Sequence, residues 1–388
     1  MKKIVILLSI VVFWSCQQQE PSVAVTIKNS LDMDRIYETV EVSAADLADL
    51  NSNAFHVVHK VNGDTLVSQT IDYDMDDNFD VLIFQPKVNA NSTDVYQIFA
   101  TTEKEQEALC YSRFVPERTD DYAWENNRVA FRTYGPTAQK MVEDSIKGGT
   151  LSSGIDAWLK RVEYPIVDKW YKKHTSGKGS YHEDTGEGLD NFHVGVSRGV
   201  GGIAFKNDST YAVSKNFKTY KTIANGPLRT VFELGYGDYT VNGKTIYETK
   251  TISLDYGQNL SKFSIDIKGV ENLSAGLTLH DNLGETTTNM SEGWMSYWEP
   301  HDGSELGQGL VVENPKQLMA FDKHISDEKD QSNLFAQLNL KNESVVYYAG
   351  FGWKKSGQFK TKAEWNTYLS NFAKCVQNPL ILKVVNED

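Results

Sequence analysis

This sequence has few cysteines, fewer basic than acidic residues (39 against 52) and no long apolar runs. Three cysteines in 388 residues cannot form a disulfide framework, and Cys110 and Cys375 are expected to be free, buried thiols. The formal net charge of −13 argues against a nucleic-acid partner. No segment reaches the roughly 20 consecutive apolar residues of a membrane-spanning helix.

Common catalytic motifs are missing as well. The chain has no G-x-S-x-G elbow, no Walker loop and no G-x-G-x-x-G that opens a helix. These absences argue against a serine hydrolase, a nucleoside triphosphatase and a dinucleotide-binding enzyme, respectively. His182 and His193 lack the HExxH spacing, so we expect no catalytic zinc. We predict no cofactor and no metal. A Ca²⁺ site at Asp184, Glu187 and Asp190 is kept as an alternative, because carboxylate oxygens are suitable ligands for that ion.

The first 16 residues have the pattern of an export signal. Two lysines precede an apolar run from Ile4 to Trp14 that is too short to span a bilayer. Ser15 and Cys16 follow, as at a bacterial lipoprotein cleavage site, so Cys16 is predicted to carry a lipid. The alternative is a plain secretory peptide with an incidental cysteine. We expect an exported lipoprotein, in the periplasm or anchored to the outer membrane, that contacts the membrane only through its lipid.

Strand patterns dominate the rest of the chain. Apolar and polar residues alternate in many short segments, and Asn242-Gly243 between two of them predicts a tight hairpin. Helical patterns are few and short, and the predicted ones are 44–50, 155–160, 168–173 and 361–373. This combination predicts an all-β fold of antiparallel sheets packed face to face. We expect residues 17–388 to form one large β-sandwich domain, with a smaller N-terminal β-lobe over 22–111 as an alternative division.

Charged and aromatic residues are mixed densely between 114 and 136. This segment holds Arg118, Glu125 and Arg132 beside Trp124 and Tyr134. Charges beside rings in a partly buried groove need partners, because their desolvation is costly. Rings stack on a pyranose and guanidinium groups pair with a carboxylate. The segment therefore predicts a groove for an acidic sugar.

A second informative segment is the glycine-rich loop from residue 180 onward. Tyr181, His182, Asp190 and His193 lie in it together with further acidic residues. Dense titratable groups in a loop favour a general acid/base cluster. The alternatives are a polar loop that bonds its own backbone and the Ca²⁺ site named above.

Three weaker candidates lie elsewhere. Arg229 follows a turn, where it either faces a ligand or caps a strand. Trp298 belongs to an aromatic-rich segment that forms either core or a platform for a sugar. His280 at a strand end is typical of a structural imidazole.

Two segments carry a family resemblance. PERTDDYAWENNRVAFRTYGP (116–136) and SYHEDTGEGLDNFHVG (180–195) resemble the hallmark segments of the DUF4861 family. These are exported proteins of polysaccharide-degrading bacteria, often encoded beside genes for pectin or ulvan breakdown. The resemblance extends to about Gly352. It implies a galactose-mutarotase-like β-supersandwich, shared with several polysaccharide lyases and carbohydrate epimerases, and the activity of a member that is an ulvan oligosaccharide dehydratase.

Such a dehydratase would remove the C5 proton of a non-reducing-end uronic acid and expel the 4-hydroxyl as water, leaving a 4,5-unsaturated product. A cation must neutralise the carboxylate, and a base and an acid must act near C5 and O4. The predicted roles are the carboxylate clamp (Arg132 or Arg229), the base and acid (His182 or His193 with Tyr181 or Tyr134), the stacking wall (Trp124), residues that orient the histidine (Glu125, Asp190) and further substrate contacts (Arg118, Trp298).

Three other functions stay open at this point. A polysaccharide lyase would use the same groups to expel a sugar instead of water. A glycoside hydrolase would use two carboxylates from Glu117, Glu125 and Glu187. A non-catalytic glycan-binding lipoprotein would need rings but no base or acid. In each case the expected partner is an acidic oligosaccharide.

Overall fold

The computed structural model describes residues 21–103 and 106–385, and strands are its dominant element. The first thirteen strands are β1 (Ser22–Lys28), β2 (Val40–Ser43), β3 (Phe55–His59), β4 (Thr65–Leu66), β5 (Ser68–Ile71), β6 (Val81–Phe84), β7 (Thr93–Ala100), β8 (Tyr111–Val115), β9 (Asp121–Glu125), β10 (Ala130–Thr133), β11 (Asp156–Lys160), β12 (Gly188–Leu189) and β13 (Val200–Asn207). The other thirteen are β14 (Thr210–Ala212), β15 (Phe217–Ala224), β16 (Arg229–Val241), β17 (Lys244–Asp255), β18 (Leu260–Lys268), β19 (Asn272–Thr278), β20 (Glu285–Asn289), β21 (Trp294–His301), β22 (Ser304–Val312), β23 (Leu318–His324), β24 (Asn333–Asn339), β25 (Ser344–Trp353) and β26 (Ile381–Val385).

Helices are short and few among the described residues. The α-helices are α1 (Pro136–Glu143), α2 (Val167–Thr175) and α3 (Lys362–Gln377), and 3-10 helices cover Ala44–Leu50, Pro116–Arg118, Pro315–Gln317 and Lys354–Ser356. None of the helices in the described part of the chain combines the length and the apolar character needed to cross a bilayer.

Three antiparallel sheets form the main body. The largest has eight strands in the order β15-β16-β17-β18-β25-β22-β21-β20. Two five-stranded sheets, β12-β11-β10-β9-β8 and β14-β13-β19-β24-β23, pack against the same face of it. Phe232 and Phe263 of the large sheet share one apolar core with Phe131 and Ile203 of the two smaller sheets. Alternate residues on each strand point to the opposite face, so every sheet also presents an outer surface.

The outer face of the eight-stranded sheet is partly covered by α3. Thr361 caps this helix by accepting a hydrogen bond from the Glu364 N–H at 3.2 Å. The predicted apolar face, with Trp365 and Leu369, packs on Trp298 of β21. The amphipathic pattern in the sequence therefore located this helix correctly.

A second core lies at the N-terminal end. Val25, Val57, Phe84 and Ile98 belong to it, and it is enclosed by the sheets β26-β1-β7-β3-β4 and β2-β6-β5. Strand β26 from the C-terminal end completes the first of these sheets by pairing with β1. The division at residue 111 stays a prediction.

The all-β prediction with few short helices is confirmed, and the layered sandwich of large antiparallel sheets is present. The predicted hairpin joins β16 to β17, with φ of 49° at Asn242 and 77° at Gly243. Cys110 and Cys375 are both free, although only the first is fully buried. Residues 1–16, including the predicted lipidated Cys16, lie outside the described residues.

One element was predicted wrongly. Residues 155–160 were expected to form a short helix, but Asp156–Lys160 is strand β11. Ala157 and Leu159 face the main core while Trp158 packs into a separate cluster on the other face. A strand buried on both faces loses the polar–apolar alternation that identifies strands in a sequence.

Candidate active site around Tyr181

The site lies on the outer face of the sheet formed by β8 to β12. On its central strands, Tyr122, Phe131 and Ala157 point into the main core. The strand period of two therefore turns their neighbours to the opposite face. Arg132 of β10 is directly paired with Asp156 of β11, which brings their side chains together on that outer face.

Arg132 is the centre of a buried ionic cluster. Its Nε donates to Asp156 Oδ2 at 2.6 Å, and its Nη2 donates to Asp190 Oδ2 at 2.8 Å. Asp121 Oδ2 lies 3.7 Å from Nη1. Since burial of these charges is costly, the mutual pairing is what makes the cluster tolerable in the interior.

Tyr181 is buried, with only 2% of its surface exposed, and it links this cluster to the partly exposed Arg118. Its hydroxyl oxygen accepts hydrogen bonds from Arg132 Nη1 at 3.2 Å and from Arg118 Nε at 3.1 Å. Its ring packs against Trp158 of β11 and Tyr171 of α2. The two guanidinium groups thereby fix the position of this phenolic oxygen.

Two histidines surround the Tyr181 ring. The His174 ring stacks on it with centroids 4.0 Å apart, and His182 contacts it edge-on at 4.6 Å. His182 Nδ1 lies 2.6 Å from the Asp190 carbonyl oxygen. A carbonyl only accepts, so Nδ1 carries the hydrogen and Nε2 of neutral His182 carries the lone pair. About half of the His182 side chain is exposed, so this basic nitrogen is accessible.

Burial shifts the acidity of several groups in the cluster. It raises the pKa of Asp121 to about 6, although Arg132 and Arg118 oppose the shift. Burial, together with the Asp190 charge, raises the pKa of Asp156 well above its usual value. Burial also lowers the pKa of His174. The cluster therefore holds groups able to exchange protons near neutral pH.

The position of Arg132 corrects its predicted role as a carboxylate clamp. Its three guanidinium nitrogens already bond Asp156, Asp190 and Tyr181, and it is only 6% exposed. Arg118 is different, because it is partly exposed. Its Nη2 makes no recorded hydrogen bond to any residue in the described part of the chain, while Nε and Nη1 bond Tyr181 and Thr119.

Two other predicted substrate contacts, Trp124 and Trp298, lie in structural positions. Trp124 is fully buried between Phe131 and Phe232, so neither face of its ring is left for a sugar. Trp298 lies under α3 and forms core instead of a platform.

Glu125 serves the scaffold and does not orient a histidine. It is fully buried and accepts hydrogen bonds from Lys160 Nζ at 2.7 Å and from the N–H groups of Ile166 and Val167 at 2.8–2.9 Å. A carboxylate at the start of α2 is favoured by the free N–H groups there. Its predicted role in the site is therefore corrected.

Arg229 belongs to a different part of the molecule. It lines a cavity of about 1050 Å³ between the outer face of the eight-stranded sheet, α3 and the N-terminal core. None of the other predicted site residues lines this cavity. Its guanidinium pairs with both oxygens of Asp255, at 2.6 and 2.8 Å, and with Glu41. Arg229 therefore does not join the Tyr181 site.

The remaining predicted acid/base residues are placed differently from one another. Tyr134 contacts the cluster, with its hydroxyl 3.4 Å from Asp156 Oδ2, and burial raises its pKa well above the usual value. His193 is exposed and pairs through Nε2 with Asp330 Oδ2 at 2.9 Å. Its side chain makes no recorded contact with Tyr181 within the described ranges.

The three carboxylates of the open Ca²⁺ alternative do not form one ligand set. Asp184 pairs with Arg161, and Glu187 pairs with Lys169. Asp190 pairs with the buried guanidinium described above. Each carboxylate is thus engaged by a different cation of the protein.

Sequence reasoning missed three members of the site. Asp121 lay in the first informative segment but received no role, Asp156 lay in a predicted helix, and His174 ends α2 without any motif around it. A signal existed for Asp121, because alternation along β9 places Asp121 and Glu125 on the face opposite Tyr122 and Trp124. Their convergence depends on the register between strands, which the sequence does not display.

The sequence matches a family profile over nearly its whole length. The profile of "Domain of unknown function (DUF4861)" matches residues 27–382. A protein of Formosa agariphila described as "Uncharacterized protein P7" is 52% identical over 381 residues, which cover 96% of each chain. Among solved structures, an alpha-mannosidase from Enterococcus faecalis is similar with a TM-score of 0.48 and 10% identity over 95% of this chain. The chain spans 46% of that enzyme's length, and a likeness at this level supports no inference about activity. The profile match confirms the predicted resemblance, and the chain belongs to the DUF4861 family.

Proposed function

We propose that this protein is a carbohydrate-active enzyme, an oligosaccharide dehydratase that eliminates water from the non-reducing-end uronic acid of ulvan- or pectin-type fragments. The observation that carries the proposal is the Tyr181 side chain: its hydroxyl accepts hydrogen bonds from Arg118 and Arg132, and its ring contacts the half-exposed His182 ring. An acid, a base and a cation are the groups that such an elimination requires.

The roles follow from which atoms are free. Arg118 Nη2 pairs with the substrate carboxylate and reduces the negative charge that opposes removal of the C5 proton. His182 Nε2 takes that proton, because Nδ1 is held as a donor by the Asp190 carbonyl. The electron pair of the C5–H bond forms the C4=C5 double bond as the C4–O4 bond breaks. Tyr181 donates its proton to O4, which leaves as water, and the two guanidinium groups stabilise the phenolate.

The test is a product analysis. The purified protein is incubated with saturated uronic-acid oligosaccharides, and the product is followed by ultraviolet absorbance of the new C=C bond and by mass. We expect the loss of one water with no change in chain length. A shortened chain with an unsaturated end indicates a polysaccharide lyase, and a shortened saturated chain indicates a hydrolase. Affinity without any product indicates a glycan-binding protein.

The residue assignment has its own test. We expect His182→Gln to lower kcat by about 10²–10⁴-fold, as is usual for loss of a general base. His324→Gln is the matched control, because His324 ends β23 and packs edge-on against Tyr211. The same assay on His193→Gln decides between the two predicted histidines. Full activity in His182→Gln would remove His182 from the mechanism.

We also propose that the protein is exported and anchored through a lipid on Cys16. The support is the sequence alone: two lysines, an apolar run and a small residue before the cysteine. Labelling of the full-length chain with a radioactive fatty acid tests this, and Cys16→Ala is expected to abolish the label and release the protein from the membrane fraction. A wild-type chain without label rejects the anchor.

A further inference from the structure

Three metal-binding side chains meet at one end of the sandwich. His280 follows β19 by two residues, and Glu299 and His301 lie two residues apart on β21. The strand period of two places the latter pair on the same face of β21. One ligand atom from each of the three lies within 4.8 Å of the others. Glu299 is only 1% exposed.

The hydrogen bond of His280 Nε2 leaves the lone pair of His280 Nδ1 facing the Glu299 carboxylate. Its Nε2 lies 3.1 Å from the His193 carbonyl oxygen, which only accepts, so Nε2 carries a hydrogen. In a neutral ring Nδ1 is then unprotonated, yet it lies 2.7 Å from Glu299 Oε1. A proton shared by the two atoms, or a metal ion bound to both, would relieve this contact between two acceptors.

His301 distinguishes the two solutions. Its Nε2 is buried and has no hydrogen-bond partner among the described residues. A buried nitrogen without a partner is costly. A second proton on His280 satisfies Nδ1 but does nothing for His301, whereas one cation satisfies both rings and the carboxylate. His280 also adopts a left-handed φ of 42°, which is uncommon for residues other than glycine.

We propose that His280, Glu299 and His301 bind a zinc ion. Two imidazoles and one carboxylate form a common three-ligand zinc set with a fourth position for water, and nitrogen ligands select zinc over Ca²⁺ and Mg²⁺. The His280 N–H donated to a backbone carbonyl is the usual outer contact of a zinc-bound histidine. Gln308 Nε2, 3.2 Å from Glu299 Oε1, holds the carboxylate in place. This site goes beyond the proposed reaction and does not depend on it.

The ion would anchor the segment that supplies part of the Tyr181 site. The His193 carbonyl bonds His280, and Asn191 Nδ2 donates to Asp302 at 3.0 Å, one residue beyond His301. Asp190, one residue before Asn191, bonds both Arg132 and His182. Residues 190–193 thus connect the zinc ligands to the Tyr181 site.

Zinc binding by the full mature protein is the direct test. The protein is stripped with a chelator, dialysed and titrated with ZnCl₂ in competition with a chromophoric chelator. We expect one zinc ion per chain, and affinities at least about 100-fold weaker for His301→Gln and Glu299→Gln. His182→Gln is the control. Its histidine pairs closely with His174, with ring centroids 5.9 Å apart, so this pair is the alternative place for a zinc ion. We expect the zinc affinity of His182→Gln to be unchanged.

Several results would overturn the proposal. They are a stripped protein that takes up no zinc, a loss of binding in His182→Gln with normal binding in His301→Gln, and a Co²⁺-substituted wild type without the visible bands of a tetrahedral site. Each variant is first checked for cooperative unfolding. If His301→Gln does not fold, the isosteric Glu299→Gln and the cobalt spectrum of the wild type decide.

Discussion

Replacing Asp121 by asparagine should stabilise the protein clearly at neutral pH and much less at acidic pH. Asp121 is fully buried, and burial raises its pKa from 3.8 to about 6. The folded state therefore holds the proton more tightly than the unfolded state does. Its favourable contribution is complete below about pH 4, falls as the pH rises towards 6, and is absent above that.

The size of the effect follows from the two pKa values. They differ by about two pH units, and at ~1.4 kcal/mol per unit the ionised carboxylate costs about 3 kcal/mol at pH 7. Asparagine has the same shape, stays neutral, and its oxygen still accepts the hydrogen bond that Tyr171 donates at 3.0 Å. We therefore expect Asp121→Asn to raise the free energy of unfolding by about 1–3 kcal/mol at pH 7.5.

Urea unfolding of wild type and variant at pH 4.5 and 7.5 measures this difference. Asp184→Asn is the matched control of opposite sign. Although partial burial opposes it, the N–H groups of Gly186 and Gly188 and the Arg161 guanidinium lower the Asp184 pKa, so its stabilising contribution is present at neutral pH and declines on acidification. Equal effects of Asp121→Asn at both pH values, or destabilisation at pH 7.5, would refute the argument from burial.

Three further substitutions test the site and the scaffold. Arg118→Lys removes the guanidinium fork from the proposed carboxylate contact, so kcat/KM for a uronic-acid substrate should fall by about 10–100-fold, and an unchanged value contradicts the assignment. Glu125→Gln leaves the fully buried Lys160 ammonium without its carboxylate. We expect denaturant unfolding to show about 3–5 kcal/mol of destabilisation. A loss below 1 kcal/mol would show that the pair is not important for stability. Gly199→Ala would place a Cβ 1.9 Å from a backbone oxygen at a φ of 56°, so the variant should unfold at lower temperature or fail to express; a wild-type melting temperature would count against the geometry.

The sequence alone was sufficient for the fold class and for the family. Period-two alternation and Asn-Gly turns predicted antiparallel strands, because half-buried strands must alternate. Helix α3 was recognisable because its apolar face is a local feature, readable within about ten residues. The same local rules failed at β11, which is buried on both faces and therefore lacks alternation.

The site residues were found only in part, because their roles depend on contacts between distant segments. Tyr181 and His182 stood out by composition, and the structure places their rings in contact and bonds Tyr181 to Arg118. Trp124 and Glu125 stood out in the same way, yet one is core and the other holds α2 against Lys160.

What the sequence determined by itself is which segments become strands and which side chains are able to carry charge, bind a metal ion or move protons. What only the tertiary structure decided is which of these meet, and on which face. Strand register turned Arg132 towards three aspartates and away from solvent, and the packing of the sheet that contains β19 against the sheet that contains β21 brought His280 to Glu299. Register and packing are set by the summed burial of the whole core, which no short segment contains.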